Sequence, residues 1–263
     1  MKLGDTFIIT AGALVARANH WVVIASVSKF DSEEKFLLLS ADERQRAGSF
    51  KSKRDRACFI IAHALKRYFL SRLINIDSNA LCFSYSSKGK PLCDNEKMLD
   101  FNISHSADWV VLGVSSVAAI GVDVERADRA IGKKAIAFAL TDKQVLTLTA
   151  AVDPVERMML YWTQKEAVSK ALGVGISVGF KSIQCSGEPG TSLAECQKQQ
   201  FLMQSYRTGN AVVSIATLAK TSVEVYQLLS WSSNAGVPQV VKTANKNVAH
   251  RQNPHAMLLE KLY

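Results

Sequence analysis

Apolar and polar residues follow two different periods along this chain, and together they predict both strands and helices. Residues 20–30 are rich in β-branched and aromatic side chains, which is typical of a strand. From residue 40 to about 76, apolar residues recur at three- and four-residue spacing and predict a helical region, with a break near Gly48. A second long helix is predicted over residues 153–172, with Pro154 at the favoured first position.

Shorter apolar runs predict further strands on both sides of the second helix. They cover residues 81–85, 99–104, 109–115, 119–125, 201–207, 211–218 and 223–231. Each half of the chain therefore has strands and helices in a similar order, which indicates an α+β fold. We expect an N-terminal half over residues 1–117, a C-terminal half over 118–231 and a polar, basic, loosely held tail over 232–263.

Composition excludes several classes of protein. The 263 residues are 48% hydrophobic and 21% charged, which is ordinary for a globular chain and not for a disordered, collagen-like or coiled-coil one. Because no apolar run approaches about 18 residues, we expect no membrane partner. The five cysteines are scattered without a CxxC pair, so we expect neither a zinc site nor a disulfide framework, and a cytoplasmic location.

The net charge of +9 is concentrated in two segments. Residues 41–72 hold nine Lys/Arg against three acids, and residues 232–263 hold four against one. A basic surface attracts anionic partners, which leaves nucleic acid, an acidic protein and a phosphorylated small molecule open. A solvated helix face would give the same charge run.

Two acidic segments could form a metal site. Asp123 and Glu125 lie two residues apart on a predicted strand and so project from the same side, and paired carboxylates suit Mg²⁺. Trp162, Glu166 and Lys170 are successive i, i+4 neighbours on the second long helix. Taken singly, the first pair is more typical of an exposed strand edge than of a metal site, and Glu166 with Lys170 is more typical of a helix-stabilising ion pair.

Other residues could bind phosphate groups. Ser104, His105 and Ser106 close a predicted strand at a turn, a short distance after Lys90 and Pro91. The basic helical region adds arginines, whose planar guanidinium groups suit phosphate. They are Arg44, Arg46, Arg56 and Arg67. The sequence thus combines carboxylates for a cation, cationic groups and a Ser/His turn. This combination indicates transfer of a phosphoryl-linked group. The nucleotide-binding P-loop motif GxxxxGK[ST] does not occur in the sequence.

The order and spacing of these segments resemble the 4′-phosphopantetheinyl transferase family, of the surfactin-synthetase-activating type. The matching segments are Lys90-Pro91, FNISHS at 101–106, GVDVE at 121–125, WTQKEAVSKALGVG at 162–175 and the basic ERQRAGSFKSKRDR at 43–56. The resemblance covers residues 40–180. It implies a fold of two similar α+β halves related by a pseudo-twofold axis. It also implies transfer of the phosphopantetheine arm of coenzyme A to a serine of an apo acyl or peptidyl carrier protein, with release of adenosine 3′,5′-bisphosphate.

The resemblance also implies roles for individual residues. Asp123, Glu125 and Glu166 correspond to ligands of one Mg²⁺ or Mn²⁺ ion, on which their side chains are expected to converge. Glu166 is the candidate base for the carrier serine, directly or through a water, and Lys170 corresponds to the residue that contacts the pyrophosphate and assists the leaving group. The expected coenzyme A contacts are Arg46, Arg56, Lys90, Pro91, Ser104, His105, Lys165 and Lys170. Trp162 and Lys165 are expected to shape the site.

The implied carrier is an acidic protein, which agrees with the basic segment 41–72. We expect a monomer that binds no nucleic acid. Two alternatives stay open: a Mg²⁺-dependent nuclease-like protein, favoured by the isoelectric point near 9.3, and a carrier-binding protein without catalysis. The nuclease lacks a recognisable nucleic-acid motif, and the intact acidic and lysine residues disfavour the inactive binder.

Overall fold

The computed structural model describes residues 8–10, 20–129, 131–218, 223–231 and 238–243. They form two compact units, one from the described residues of Met1–Ala118 and Val223–Ala244 and the other from those of Ala119–Ser222. Each unit combines one large sheet with helices, which confirms the α+β class. No helix among the described residues has the length and apolar character needed to span a bilayer.

The first unit is built on a six-stranded sheet. Its strands are β1 (Ile8–Thr10), β2 (His20–Ser26), β5 (Asp100–Ser106), β6 (Trp109–Ser115), β11 (Glu224–Ser230) and β12 (Gln239–Lys242), in the order β1-β12-β11-β2-β6-β5. All neighbours are antiparallel except β11 and β2. A separate hairpin joins β3 (Phe83–Tyr85) to β4 (Pro91–Cys93). The helices are α1 (Ser32–Phe36), α2 (Ala41–Gly48) and α3 (Lys53–Leu73).

The core of the first unit lies between α3 and the sheet. Phe59, Leu65 and Phe69 of α3 are buried with Trp21 of β2 and Phe101 of β5. This is the apolar stripe that the three- and four-residue spacing predicts. The buried stripe places α3 across β5 and β6 and so supports the strand whose C-terminal end carries Ser104 and His105.

The second unit has a four-stranded antiparallel sheet. Its order is β7 (Ile120–Arg126), β10 (Ala211–Thr217), β9 (Gln199–Thr208) and β8 (Gly190–Cys196). The helices are α4 (Lys133–Ala139), α5 (Asp142–Thr149) and α6 (Pro154–Leu172). Helix α6 packs on β7 and β10, and its buried residues join two apolar clusters, one around Met159 and Phe180 and the other around Val168 and Phe201.

Local sequence signals explain where the helices begin and end. Ser40 and Glu43 form a capping box at α2, as Thr141 and Gln144 do at α5. Asp153 caps α6, with Pro154 in its first turn, and Gly173 ends it in the left-handed conformation, φ 69°. The helix starts expected at residues 40 and 153 are confirmed.

The structure departs from the expected organisation at the C-terminal end. The order of predicted elements places residues 223–231 in the second half, but β11 pairs with β2 in the first unit. This parallel contact joins distant segments, and local patterns do not encode it. Within the expected tail, residues 239–242 form β12. The rest of that tail, 232–237 and 244–263, lies outside the described residues. The strand β8 and the helix α4 were not predicted.

Candidate active site

An ion pair between β7 and α6 forms the centre of the acidic cluster. Lys170 Nζ lies 2.6 Å from Asp123 Oδ1 and donates to the carbonyl oxygen of Val122 at 3.3 Å. Asp123 is only 5% exposed, because α6 covers the sheet face from which it projects. Asp123 is therefore buried. It does not lie on an exposed strand edge, which was the alternative that the strand pattern alone allowed. The buried carboxylate has a cationic partner, as buried charges need.

Gly121 explains why the helix comes so close to the strand. A Cβ atom at position 121 would lie 2.0 Å from the carbonyl oxygen of Ala167 and 2.4 Å from the amide nitrogen of Ala171. Only a residue without a side chain lets the two backbones approach this closely. The contact holds the helix that carries Glu166 and Lys170 against the strand that carries Asp123.

Glu166 lies in the electrostatic field of the other two carboxylates. Burial raises the pKa of Glu166, and the negative charges of Asp123 and Glu125 raise it further, while Lys170 opposes them. The three carboxyl groups that the sequence singles out are thus close enough to influence one another. Glu125 forms an ion pair with Arg129, four residues later on the chain, which the sequence analysis did not identify.

The three carboxylates have the chemistry of a divalent-cation site, since hard oxygen ligands that repel one another are stabilised by a shared cation. In the structure, Lys170 pairs with Asp123 and Arg129 pairs with Glu125, so two of the carboxylates already have a positively charged partner. In the described ranges, no three His, Cys, Asp or Glu side chains stand in an arrangement that could hold a metal ion. The donor set fits a cation in composition and charge, while its ligand geometry is not formed.

The helix α6 is fastened to its unit by a buried polar network. Lys165 is fully buried, and its Nζ donates to the carbonyl oxygens of Phe180 at 2.7 Å and Ile183 at 2.9 Å. The structure does not support the expectation that Lys165 contacts coenzyme A, because its ammonium group is enclosed and bonded internally. Lys165 instead fastens α6 to the segment that contains Phe180 and Ile183.

Four further side chains form buried polar contacts between α6 and the sheet that the sequence does not predict: Thr163, Gln164, Ser205 and Ser214. Thr163 Oγ1 lies 2.8 Å from Ser214 Oγ, which lies 2.9 Å from Ser205 Oγ. Gln164 donates to Ser205 Oγ at 3.1 Å and accepts from the amide of Gly187 at 2.9 Å. Small polar residues in a strand give no local signal of such a network, because their partners come from distant segments.

The first unit carries most of the expected phosphate contacts. Lys90 Nζ donates to Asp100 Oδ2 at 2.7 Å, which links the β3–β4 hairpin to the start of β5. At the other end of β5, Ser104 is buried and His105 is exposed. Pro91 begins β4 directly after Lys90.

The arginines of the basic segment divide into two groups. Arg46 is exposed, with its guanidinium 5.6 Å from the Phe59 ring centre, and Arg56 lies over Phe36 and pairs with Glu33. Both are placed at the surface of the unit.

Arg67, by contrast, is buried. It donates to Glu43 Oε2 at 2.5 Å and to the carbonyl oxygen of Ser78 at 2.7 Å. The interpretation of Arg67 as a phosphate-binding residue is therefore not supported, because its guanidinium group is committed to the interior.

Comparison with known proteins gives consistent matches. Residues 19–117 match the family model described as 4′-phosphopantetheinyl transferase, N-terminal, and residues 119–216 match that of the 4′-phosphopantetheinyl transferase superfamily. A putative 4′-phosphopantetheinyl transferase of Synechocystis sp. is 28% identical over 225 residues, which cover 82% of this chain and 88% of that protein.

Two further relatives match shorter stretches. The 4′-phosphopantetheinyl transferase HetI of Nostoc sp. is 31% identical, over 53% of this chain and 61% of that protein. The 4′-phosphopantetheinyl transferase Sfp of Bacillus subtilis is 27% identical, over 59% of this chain and 70% of that protein. The segments around the acidic cluster and around Ser104 and His105 lie within the two family matches. The chain belongs to the 4′-phosphopantetheinyl transferase superfamily.

Proposed function

We propose that this phosphopantetheinyl transferase uses the acidic cluster of β7 and α6 to move the 4′-phosphopantetheine arm of coenzyme A to a serine of an apo acyl or peptidyl carrier protein. The other product is adenosine 3′,5′-bisphosphate. The observation that carries the proposal is the grouping of Asp123, Glu125 and Glu166 with Lys170, in which burial and like charges raise the pKa of Glu166.

Asp123, Glu125 and Glu166 would hold a divalent cation, Mg²⁺ or Mn²⁺. When bound, such an ion neutralises charge on the pyrophosphate of coenzyme A. Binding of the metal ion would require Lys170 to release Asp123 and Arg129 to release Glu125. In the structure these two basic side chains neutralise the two carboxylates.

Glu166 is suited to act as the general base. As a carboxylate of the cluster it would take the proton of the carrier serine, directly or through a water, as the hydroxyl attacks the phosphorus that bears the pantetheine. The bond from that phosphorus to the bridging oxygen of the pyrophosphate breaks. Lys170 supplies positive charge to the departing adenosine 3′,5′-bisphosphate.

The first unit supplies the proposed coenzyme A contacts. Ser104 and His105 would bind phosphate oxygens, Lys90 and Pro91 the nucleotide end, and Arg46 and Arg56 the 3′-phosphate. The basic segment 41–72 would attract an acidic carrier, since complementary charge raises the encounter rate. We propose a monomer working in the cytoplasm, where cysteines without disulfides are ordinary.

The test is incubation with coenzyme A, Mg²⁺ and an apo carrier protein, followed by intact mass measurement of the carrier. A gain of about 340 Da, the mass of one phosphopantetheine arm, is expected and is lost with EDTA because the ion takes part in the reaction. Asp123→Asn, which keeps the volume of the buried side chain, should abolish the gain without unfolding the protein. An unmodified carrier together with degraded DNA or RNA would instead favour the nuclease.

A further inference from the structure

The turn that follows His105 has an unfavourable backbone conformation. The β5–β6 hairpin pairs Ser106 with Trp109, so only Ala107 and Asp108 form the loop. Ala107 has φ 56°, in the left-handed region where glycine is normally required. A non-glycine residue persists in this region only when surrounding contacts compensate for the strain.

Asp108 provides those contacts. Its Oδ2 accepts hydrogen bonds from Ser26 Oγ at 2.5 Å and Ser28 Oγ at 2.9 Å, and its Oδ1 accepts from the Ser28 amide at 2.7 Å. Its backbone carbonyl accepts from the Val27 amide at 2.7 Å. Four hydrogen bonds thus tie a two-residue turn to the last residue of β2 and the two residues that follow it.

The position of β5 makes this attachment important for His105. Among the described strands β5 is the last in the order of the sheet, and its ladder partner there is β6. His105 pairs with Val110 near the free end of the hairpin, three residues before Asp108. The end of the hairpin is therefore held by the β5–β6 ladder, by the β2–β6 ladder on the side of β6, and by the bonds of Asp108.

We propose that Asp108 is a positioning residue for coenzyme A binding, which acts by fixing the turn and with it the placement of Ser104 and His105. The inference rests on the proposed function, in which Ser104 and His105 bind phosphate oxygens of coenzyme A. Asp108 acts through these residues and does not touch the substrate.

The experiment measures coenzyme A binding by calorimetry and transfer by steady-state kinetics for the parent and three variants. Asp108→Ala should raise both Kd and KM for coenzyme A about 10-fold with kcat within about 3-fold, because uniform binding is lost. Asp108→Asn should recover most of the affinity, since its amide oxygen still accepts from the Ser28 amide and the two serine hydroxyls can turn to accept from its NH₂ group. The matched control is Asp77→Ala, another aspartate of this unit that accepts from a backbone amide, that of Asn79, and it should leave Kd unchanged.

A double-mutant cycle with His105→Ala separates positioning from general stabilisation. In the His105→Ala background, Asp108→Ala should raise Kd by only about 3-fold, because of the two residues it positions only Ser104 remains. A full additional 10-fold rise in Kd would overturn the inference. An unchanged Kd for Asp108→Ala would also overturn it, provided that the parent protein is active. If Asp108→Ala does not fold, Ser28→Ala takes its place, because it removes only one hydroxyl donor to Asp108. Ser28→Ala should give a smaller rise in Kd. An unchanged Kd for Ser28→Ala would also overturn the inference. A parent that neither binds coenzyme A nor modifies a carrier would overturn the proposed function as well.

Discussion

Lys170 and Asp123 are 47 positions apart in the chain, yet the ammonium group of one lies 2.6 Å from the carboxylate of the other. The pair joins the helix and the strand that carry the acidic cluster, and it balances one negative charge where three carboxylates influence one another. Lys170 thus occupies the position of a counter-ion, and its removal should have separate effects on stability, cation binding and transfer.

Lys170→Met keeps the length of the side chain but deletes its charge. Without divalent cation it should lower the free energy of unfolding by about 1–3 kcal/mol, because Asp123 stays buried without its partner. Added Mg²⁺ should raise the melting temperature more in Lys170→Met than in the parent, since the ion then meets uncompensated carboxylates. Transfer should fall even in saturating Mg²⁺.

The double variant Asp123→Asn with Lys170→Met tests the origin of this loss. It should recover most of the stability, since no unpaired charge remains, and none of the activity. Melting curves in EDTA and in Mg²⁺ provide the measurement. An equal response of parent and Lys170→Met to Mg²⁺ would contradict the assignment of the cluster as a cation site.

Gly121→Ala tests the close approach of β7 and α6. Its Cβ atom would overlap with backbone atoms of Ala167 and Ala171, so the helix must shift and carry Glu166 away from Asp123. We expect a destabilisation of about 1–3 kcal/mol from overpacking and at least a roughly 100-fold loss of transfer. Chemical denaturation and the carrier mass assay measure the two effects.

Gly132→Ala is the matched control for Gly121→Ala. Gly132 lies at the start of α4, and a Cβ atom there would meet no heavy atom within 4 Å. The substitution should leave both stability and transfer close to those of the parent. If Gly121→Ala behaved in the same way, the contact between the two backbones would not position the acidic cluster.

Local signals predicted much of this arrangement, and long-range packing accounts for what they did not predict. The capping box at Ser40 depends on residues within three positions, so it is visible in the sequence. The burial of Asp123 and Lys165 depends on where α6 packs. The spacing of apolar residues along the chain does not predict this packing. The parallel pairing of β11 with β2 joins segments about 200 residues apart and leaves no local trace. The candidate site residues could be named from the sequence because they occur in short motifs, whereas the turn at Asp108 is stabilised by serines far away in the sequence.

Glu166→Gln tests the general base. Transfer should fall by about 10²–10⁴-fold, because the amide cannot accept the serine proton. In EDTA, stability should stay equal or increase, since the lost charge is one that burial and the neighbouring carboxylates disfavour. The control Glu156→Gln changes the same residue type in the same helix, where Glu156 pairs with Arg207 at 3.6 Å, and should leave transfer within about 2-fold. Comparable losses in both variants would remove Glu166 from the catalytic role.

Glu43 should be the main acid-sensitive group of the first unit. Its carboxylate accepts from Lys66 Nζ at 2.8 Å and Arg67 Nε at 2.5 Å, and lies 2.8 Å from His63 Nδ1. Glu43→Gln leaves Lys66 and Arg67 buried without a counter-charge and should lower the free energy of unfolding by about 3–5 kcal/mol. Glu33→Gln, which removes the exposed ion pair with Arg56, should cost less than about 1 kcal/mol.

The pH dependence gives a second test of the same group. Burial works to raise the pKa of Glu43, but the contacts with His63, Lys66 and Arg67 outweigh it and hold the pKa well below the usual range. Because the folded pKa is depressed, the stabilisation is complete above the unfolded value of about 4.3 and is lost as the pH falls below it. Between about pH 4.5 and 3, the free energy of unfolding should therefore fall more steeply in the parent than in Glu43→Gln, as measured by urea titration at each pH. Parallel pH profiles of the two proteins would show that Glu43 does not carry this charge network.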